Sequence, residues 1–110
     1  MDQSYLAREI ISTYRRHGWQ VQRVLLRPPT RAEFAGSEEQ TFEGARIDEA
    51  AIDAIWFSRP SHDKREAWEL RLLAETQYAL FETFKKDEPE EVREEVRRQM
   101  ESRLRDYVKK

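Results

Sequence analysis

The sequence predicts an α+β fold: an N-terminal helix, a strand, a long connection, a three-stranded antiparallel meander and a C-terminal helix. Three observations carry this. Apolar residues recur at helical spacing near both ends, at Leu6, Ile10 and Tyr14 and again at Val92, Val96, Met100, Leu104 and Val108. Residues 19–27 (WQVQRVLLR) have the β-branched and aromatic content of a strand. Residues 52–84 divide into three short apolar strands joined by two polar turns. The expected architecture is one domain over residues 1–110, with two helices packed on one face of a four-stranded, mainly antiparallel sheet.

The first helix is expected over about residues 3–17. Ser4 or Asp2 can cap its start, Arg15, Arg16 and His17 suit the negative end of its dipole, and Gly18 can end it in a left-handed cap. His17 is most simply a helix-end residue. In the strand that follows, Val24, Leu25 and Leu26 are consecutive, so either both faces are buried in part or a bulge shifts the alternation. Pro28 and Pro29 end it, because neither can donate to a ladder. Residues 30–51 read as a long, acidic, partly helical connection. Thr30 with Glu33 and Ser37 with Gln40 have capping-box spacing, and Phe34, Phe42 and Ile47 can tack the segment to the core. In the final helix Pro89 suits the first turn, Asp87 or Glu88 can cap it, and Glu90 and Glu91 favour the positive end of the dipole. Glu94–Arg98 and Glu101–Arg105 are spaced as i,i+4 ion pairs on a solvated face.

The meander's register follows from its turns. With Arg59 opposite Glu66, Phe57 faces Trp68 and Ile55 faces Leu70. Ile55, Phe57, Trp68, Leu70 and Leu72 then form a core face, while Ala54, Trp56, Ser58, Ala67, Glu69 and Arg71 fall on the other. A two-residue turn at Ala74-Glu75 sends Tyr78 and Leu80 to that second face, and a three-residue turn reverses the last strand. Large apolar groups on an uncovered face mean a partner. Trp56, Glu69, Arg71, Tyr78 and Leu80 are therefore the expected interface, with Trp56 as anchor and Arg71 stacked on it. The alternative is that residues 30–51 fold over this face and make Trp56 ordinary core.

Composition bounds the chemistry. Apolar and charged residues each make up 38% of the 110 residues, and the charges nearly cancel at −2. Twelve aromatics in periodic positions argue for a folded domain with solvated helix faces. Residues 1–36 carry a net +3 and residues 37–63 a net −5, but no segment forms the basic stripe that nucleic-acid binding demands. With no cysteine, disulfides, thiolate zinc sites and a cysteine nucleophile are excluded. No signal peptide or membrane span is read, and a cytoplasmic location is expected.

Three functional readings follow. The first is a non-enzymatic interaction module that associates through the Trp56 face with another protein or with a second copy, giving a homodimer. In the second, Arg59, His62, Lys64 and Arg65 in the first meander turn grip an anionic ligand or a nucleic-acid end. Ser61, His62 and Asp63 in that turn are not a triad, since consecutive residues do not converge as one. In the third, Asp53 on one strand and Glu69-Leu70-Arg71 on the next resemble the Asp then Glu-x-Lys pattern of restriction-endonuclease-like nucleases, which implies metal-dependent hydrolysis. Arg71 stands where that pattern has lysine and does not readily give up a proton. Asp53 is expected opposite Leu72, on the face away from Glu69, so no metal site forms. No cofactor is expected.

Overall fold

A computed structural model describes residues 3–109. Asp2, one of the two caps expected for the first helix, lies outside them. The class is α+β, as expected, but the sheet is five-stranded and mixed. The elements run α1 (Gln3–Arg16), β1 (Gln20–Leu26), α2 (Pro28–Glu33), α3 (Glu38–Thr41), β2 (Arg46–Glu49), β3 (Ala54–Ser61), β4 (Arg65–Leu72), β5 (Ala79–Lys85) and α4 (Glu90–Lys109). The strand order is β2-β1-β3-β4-β5, with β1 and β2 parallel and every other pair antiparallel. No helix among the described residues is long and apolar enough to cross a membrane.

The two main helices lie on opposite faces of the sheet, which corrects the expectation that they share one. Ala7, Ile10 and Ile11 of α1 pack with Val24, Leu26, Ile55 and Phe57. Met100 and Leu104 of α4 pack with Leu25, Ala54, Trp56, Leu70 and Leu72. The physical reason is in β3. Residues 52–58 are buried without interruption, so both faces of this central strand carry apolar side chains that need cover. The run Val24-Leu25-Leu26 in β1 divides in the same way, and a register shift also falls between Val21 and Arg23. Both explanations offered for its broken alternation therefore operate.

The β3–β4 register differs by one residue from the one expected. Arg59 opposes Ala67, Ser58 opposes Trp68 and Trp56 opposes Leu70. A one-residue slip exchanges the faces of a strand, so Trp56 joins Leu70 and Trp68, while Ile55 and Phe57 join Glu69 and Arg71. The cause is the turn. Ser61 opposes Arg65, so the loop holds three residues, 62–64, where the expected register allows two. Asp63 and Lys64 both take positive φ (56° and 58°), and the Arg65 amide donates to the His62 carbonyl, a conformation that lysine does not advertise. At the second turn Arg71 pairs with Ala79 and Leu70 with Leu80, the register of the three-residue alternative.

Residues 30–51 supply three elements. Pro28 and Pro29 open α2, Phe34 and Phe42 are fully buried beside α1, and β2 adds to the sheet edge next to β1. This segment covers the α1 face, so it is not what buries Trp56. Gly18, at φ +85°, ends α1 as expected, with its amide on the Arg15 carbonyl and that of Trp19 on the Tyr14 carbonyl. In α4 the expected row of every fourth residue does not hold at its ends, where Val92 and Val108 are exposed. At 3.6 residues per turn a spacing of four drifts about 40° per step, so no single face keeps all five. Arg97, although charged, takes an inward place.

Candidate functional site

The five residues expected to form one interface divide between the faces. Trp56 is 0% exposed. Its ring lies edge-on to Trp68 and its Nε1 donates to Glu101 Oε2 of α4 at 2.8 Å. Leu80 is buried on the same side, opposite Leu70. The open face expected around Trp56 is therefore closed by the chain's own C-terminal helix, and Arg71, on the other side of the sheet, does not stack on it. Tyr78 stacks on Tyr107 of α4 with ring centroids 3.6 Å apart. Glu69 and Arg71 lie on the α1 side.

There Glu69, Arg71 and Tyr78 help to line an open hollow. This groove of about 640 Å³ runs between α1 and the outer strands. Its α1 wall is Tyr5, Leu6, Glu9, Ile10, Thr13 and Tyr14, and Glu75, Gln77 and Ala79 close the other side. A second hollow continues it past Tyr14 and Glu69 to His17 and Trp19. Together they form a trough beside residues 5–17, α1 and the residue that follows it, about 18 Å long at 1.5 Å per residue. Phe81, which is 57% exposed, meets Trp19 edge-on at its far end.

The sequence places these groups simply. Helical spacing aims Leu6, Ile10 and Tyr14 at the sheet, and a strand period of two puts Glu69 and Arg71 on the same side of β4. Tyr14 stacks on Phe57 at 4.0 Å and donates its hydroxyl to Glu69 Oε2. Burial, the hydrogen bond to Glu69 and its negative charge push the Tyr14 hydroxyl far above the usual tyrosine range, against a smaller opposing effect of Arg71. Tyr14 is thus a neutral donor. The Arg71 guanidinium is buried and turned onto the carbonyls of Leu72, Ala74 and Thr76, so it clasps the loop before β5. The three carboxylates of Glu9, Glu69 and Glu75 against the single cation of Arg71 give the groove an acidic balance. Leu6, Glu9 and Tyr5 were missed as site residues because a helix stripe reads as core until the sheet's width is known.

The first meander turn does not gather its cations. Arg59 donates to the His17 carbonyl and lies over the Trp19 ring at 4.6 Å. Arg65 is held by the hydroxyl and carbonyl of Thr83. His62 and Lys64 are exposed. Asp53 is a structural carboxylate. It accepts from the Arg27 amide at 2.8 Å, from the Arg27 side chain at 2.9 and 3.0 Å and from Thr30 Oγ1 at 2.7 Å. Its backbone meets Leu73, four residues along from Glu69, or about 13 Å at strand spacing. Asp53 therefore falls on the same face as Glu69, not on the opposite one as expected, but the nuclease-like pair is too far apart to converge, and no group of three His, Asp or Glu among the described residues could hold a metal ion.

Compared with family models, curated proteins and solved structures, the chain has no match.

Proposed function

We propose that this chain is a non-enzymatic docking module that receives an extended, basic segment of a protein partner in the trough between α1 and β4–β5. The observation that carries this is the position of Glu69. It lies where the two hollows join, with one carboxylate oxygen on Tyr14 and no donor among the described residues assigned to the other. A lysine or arginine entering the trough would meet that carboxylate with Glu9 and Glu75 nearby, and tyrosine faces suit its aliphatic stem and its charge. The length favours a peptide over a compact ligand, since about 18 Å accommodates five or six extended residues. Phe81 and Trp19 offer an apolar end for a neighbouring side chain.

Isothermal titration with a hexapeptide of alternating valine and lysine tests this. Binding is expected, weakened at least tenfold by Nε-acetylation of the lysines and similarly by Glu69→Gln with Glu75→Gln. Equal binding of the acetylated peptide, or none of either, would overturn the proposal.

A second copy of the chain is the other partner worth testing, because β5 is an edge strand that pairs only with β4 among the described residues, and its Phe81 is exposed. A concentration-dependent dimer that Phe81→Lys dissolves is the expected sign of that mode. A monomer at every concentration excludes it.

A further inference from the structure

Four arginines converge on the other side of the sheet from the trough. Arg23 of β1 and Arg46 of β2 are direct partners in the parallel ladder. Arg93 and Arg97 are one turn apart on α4. Like charges at either spacing repel, yet all four line one pocket of about 270 Å³. The Arg97 side chain is only 3% exposed and lies over the Trp68 ring at 4.0 Å. The Nε groups of both Arg93 and Arg97 are buried without a hydrogen-bond partner among the described residues, although buried polar groups are normally paired.

The carboxylates that answer these charges are shared or peripheral. Glu94 serves both Arg23 and Arg97. Glu66 serves Arg93 and the Trp68 indole, and Asp48 holds the exposed Arg46. Glu101 is 3.9 Å from Arg23 and already accepts from Trp56. Among the described residues the one carboxylate that lines the pocket is Glu90, which reaches Arg97 Nη1 at 2.7 Å while remaining 69% exposed. It is attached to the first turn of α4 and can swing into solvent.

We infer that this pocket binds a phosphate group, as inorganic phosphate or as a small phosphomonoester, and that Glu90 occupies the anion's place when the site is free. Of the five carboxylates around the cluster Glu90 alone stands on the pocket wall, and a tetrahedral dianion in its place offers oxygens to several guanidinium groups at once, which suits their planar forks. The volume lies below the range of drug-sized ligand sites and fits the charged group alone.

The test is a titration of the ¹⁵N-labelled chain, following the arginine Nε–H signals of Arg93 and Arg97 with inorganic phosphate and, separately, with N-acetyl phosphoserine amide. Sodium chloride at matched ionic strength and sodium acetate serve as controls. Saturable movement with either phosphate probe, absent with chloride and at least tenfold weaker with acetate, is expected, and the tighter probe identifies the natural form. Glu90→Gln should tighten binding severalfold and Arg46→Ala should weaken it at least fivefold. Arg46 is largely exposed, so its loss leaves the fold intact. No saturable movement in either wild type or Glu90→Gln would overturn the inference, as would affinities that neither substitution changes.

Discussion

Trp56 and Glu101 are joined across the sheet–helix boundary, the indole Nε1 donating to Oε2 at 2.8 Å. This bond fixes α4 over the face that the sequence leaves open. Trp56→Ala should lower stability by about 3–5 kcal/mol, as large core truncations do, without changing the mass in solution. Glu101→Leu strands the indole N–H and should cost about 1–3 kcal/mol. Urea denaturation with light scattering on the same samples checks both.

Tyr14 carries a pH dependence. Its hydroxyl titrates higher in the folded chain than in the unfolded one, chiefly through burial. A raised folded value gives stability that is complete below the ordinary tyrosine value of about 10 and is lost as pH rises beyond it. Stability should therefore fall above about pH 10, and Tyr14→Phe should remove this tyrosine's part of that fall while costing about 1–2 kcal/mol at neutral pH. Denaturation curves between pH 8 and 11 decide it.

Asp53 is predicted to act in folding alone. Removing its carboxylate leaves the Arg27 amide and the Thr30 hydroxyl without their acceptor, so Asp53→Ala should cost roughly 3 kcal/mol. Magnesium or manganese should leave the melting temperature of wild type unchanged, because the carboxylate's oxygens already serve these donors.

The acidic limb belongs to α4. Burial pushes Glu94 upward, but hydrogen bonds from Arg23 and Arg97 outweigh it and hold the carboxyl below the usual range. Glu90 is held low mainly by its hydrogen bond from Arg97. A depressed folded value gives stability that is present above the ordinary glutamate value of about 4.3 and is lost as pH falls below it. Glu94→Gln should flatten the acid limb of a melting-temperature profile.

Much of this fold is legible in the sequence. The apolar stripe of α1, its end at Gly18 and the strand at residues 20–26 follow from periodicity and glycine chemistry. So do the meander and the body of α4. The register was not legible, because it depends on Asp63 and Lys64 taking positive φ, and lysine is not a residue that signals this. That single residue of slip moved Trp56 to the other face from Glu69 and Arg71. The placement of α4 had a sign that can be read in retrospect. An unbroken apolar run from Ala54 to Phe57 marks a strand covered on both sides, and two helices on one face would leave the other bare. Glu69, Arg71 and Tyr78 could be named from sequence as binding residues, but their companions on α1 could not, since only the three-dimensional arrangement separates the core of that helix from its open margin.

The docking proposal is tested most directly by mapping the valine–lysine hexapeptide onto the ¹⁵N-labelled chain. Amide shifts are expected to concentrate on Tyr5 to His17, Glu69 to Arg71 and Ala79 to Phe81, and to be absent with the Nε-acetylated peptide. Shifts concentrated on α4 and β2 instead, or equal for both peptides, would contradict it.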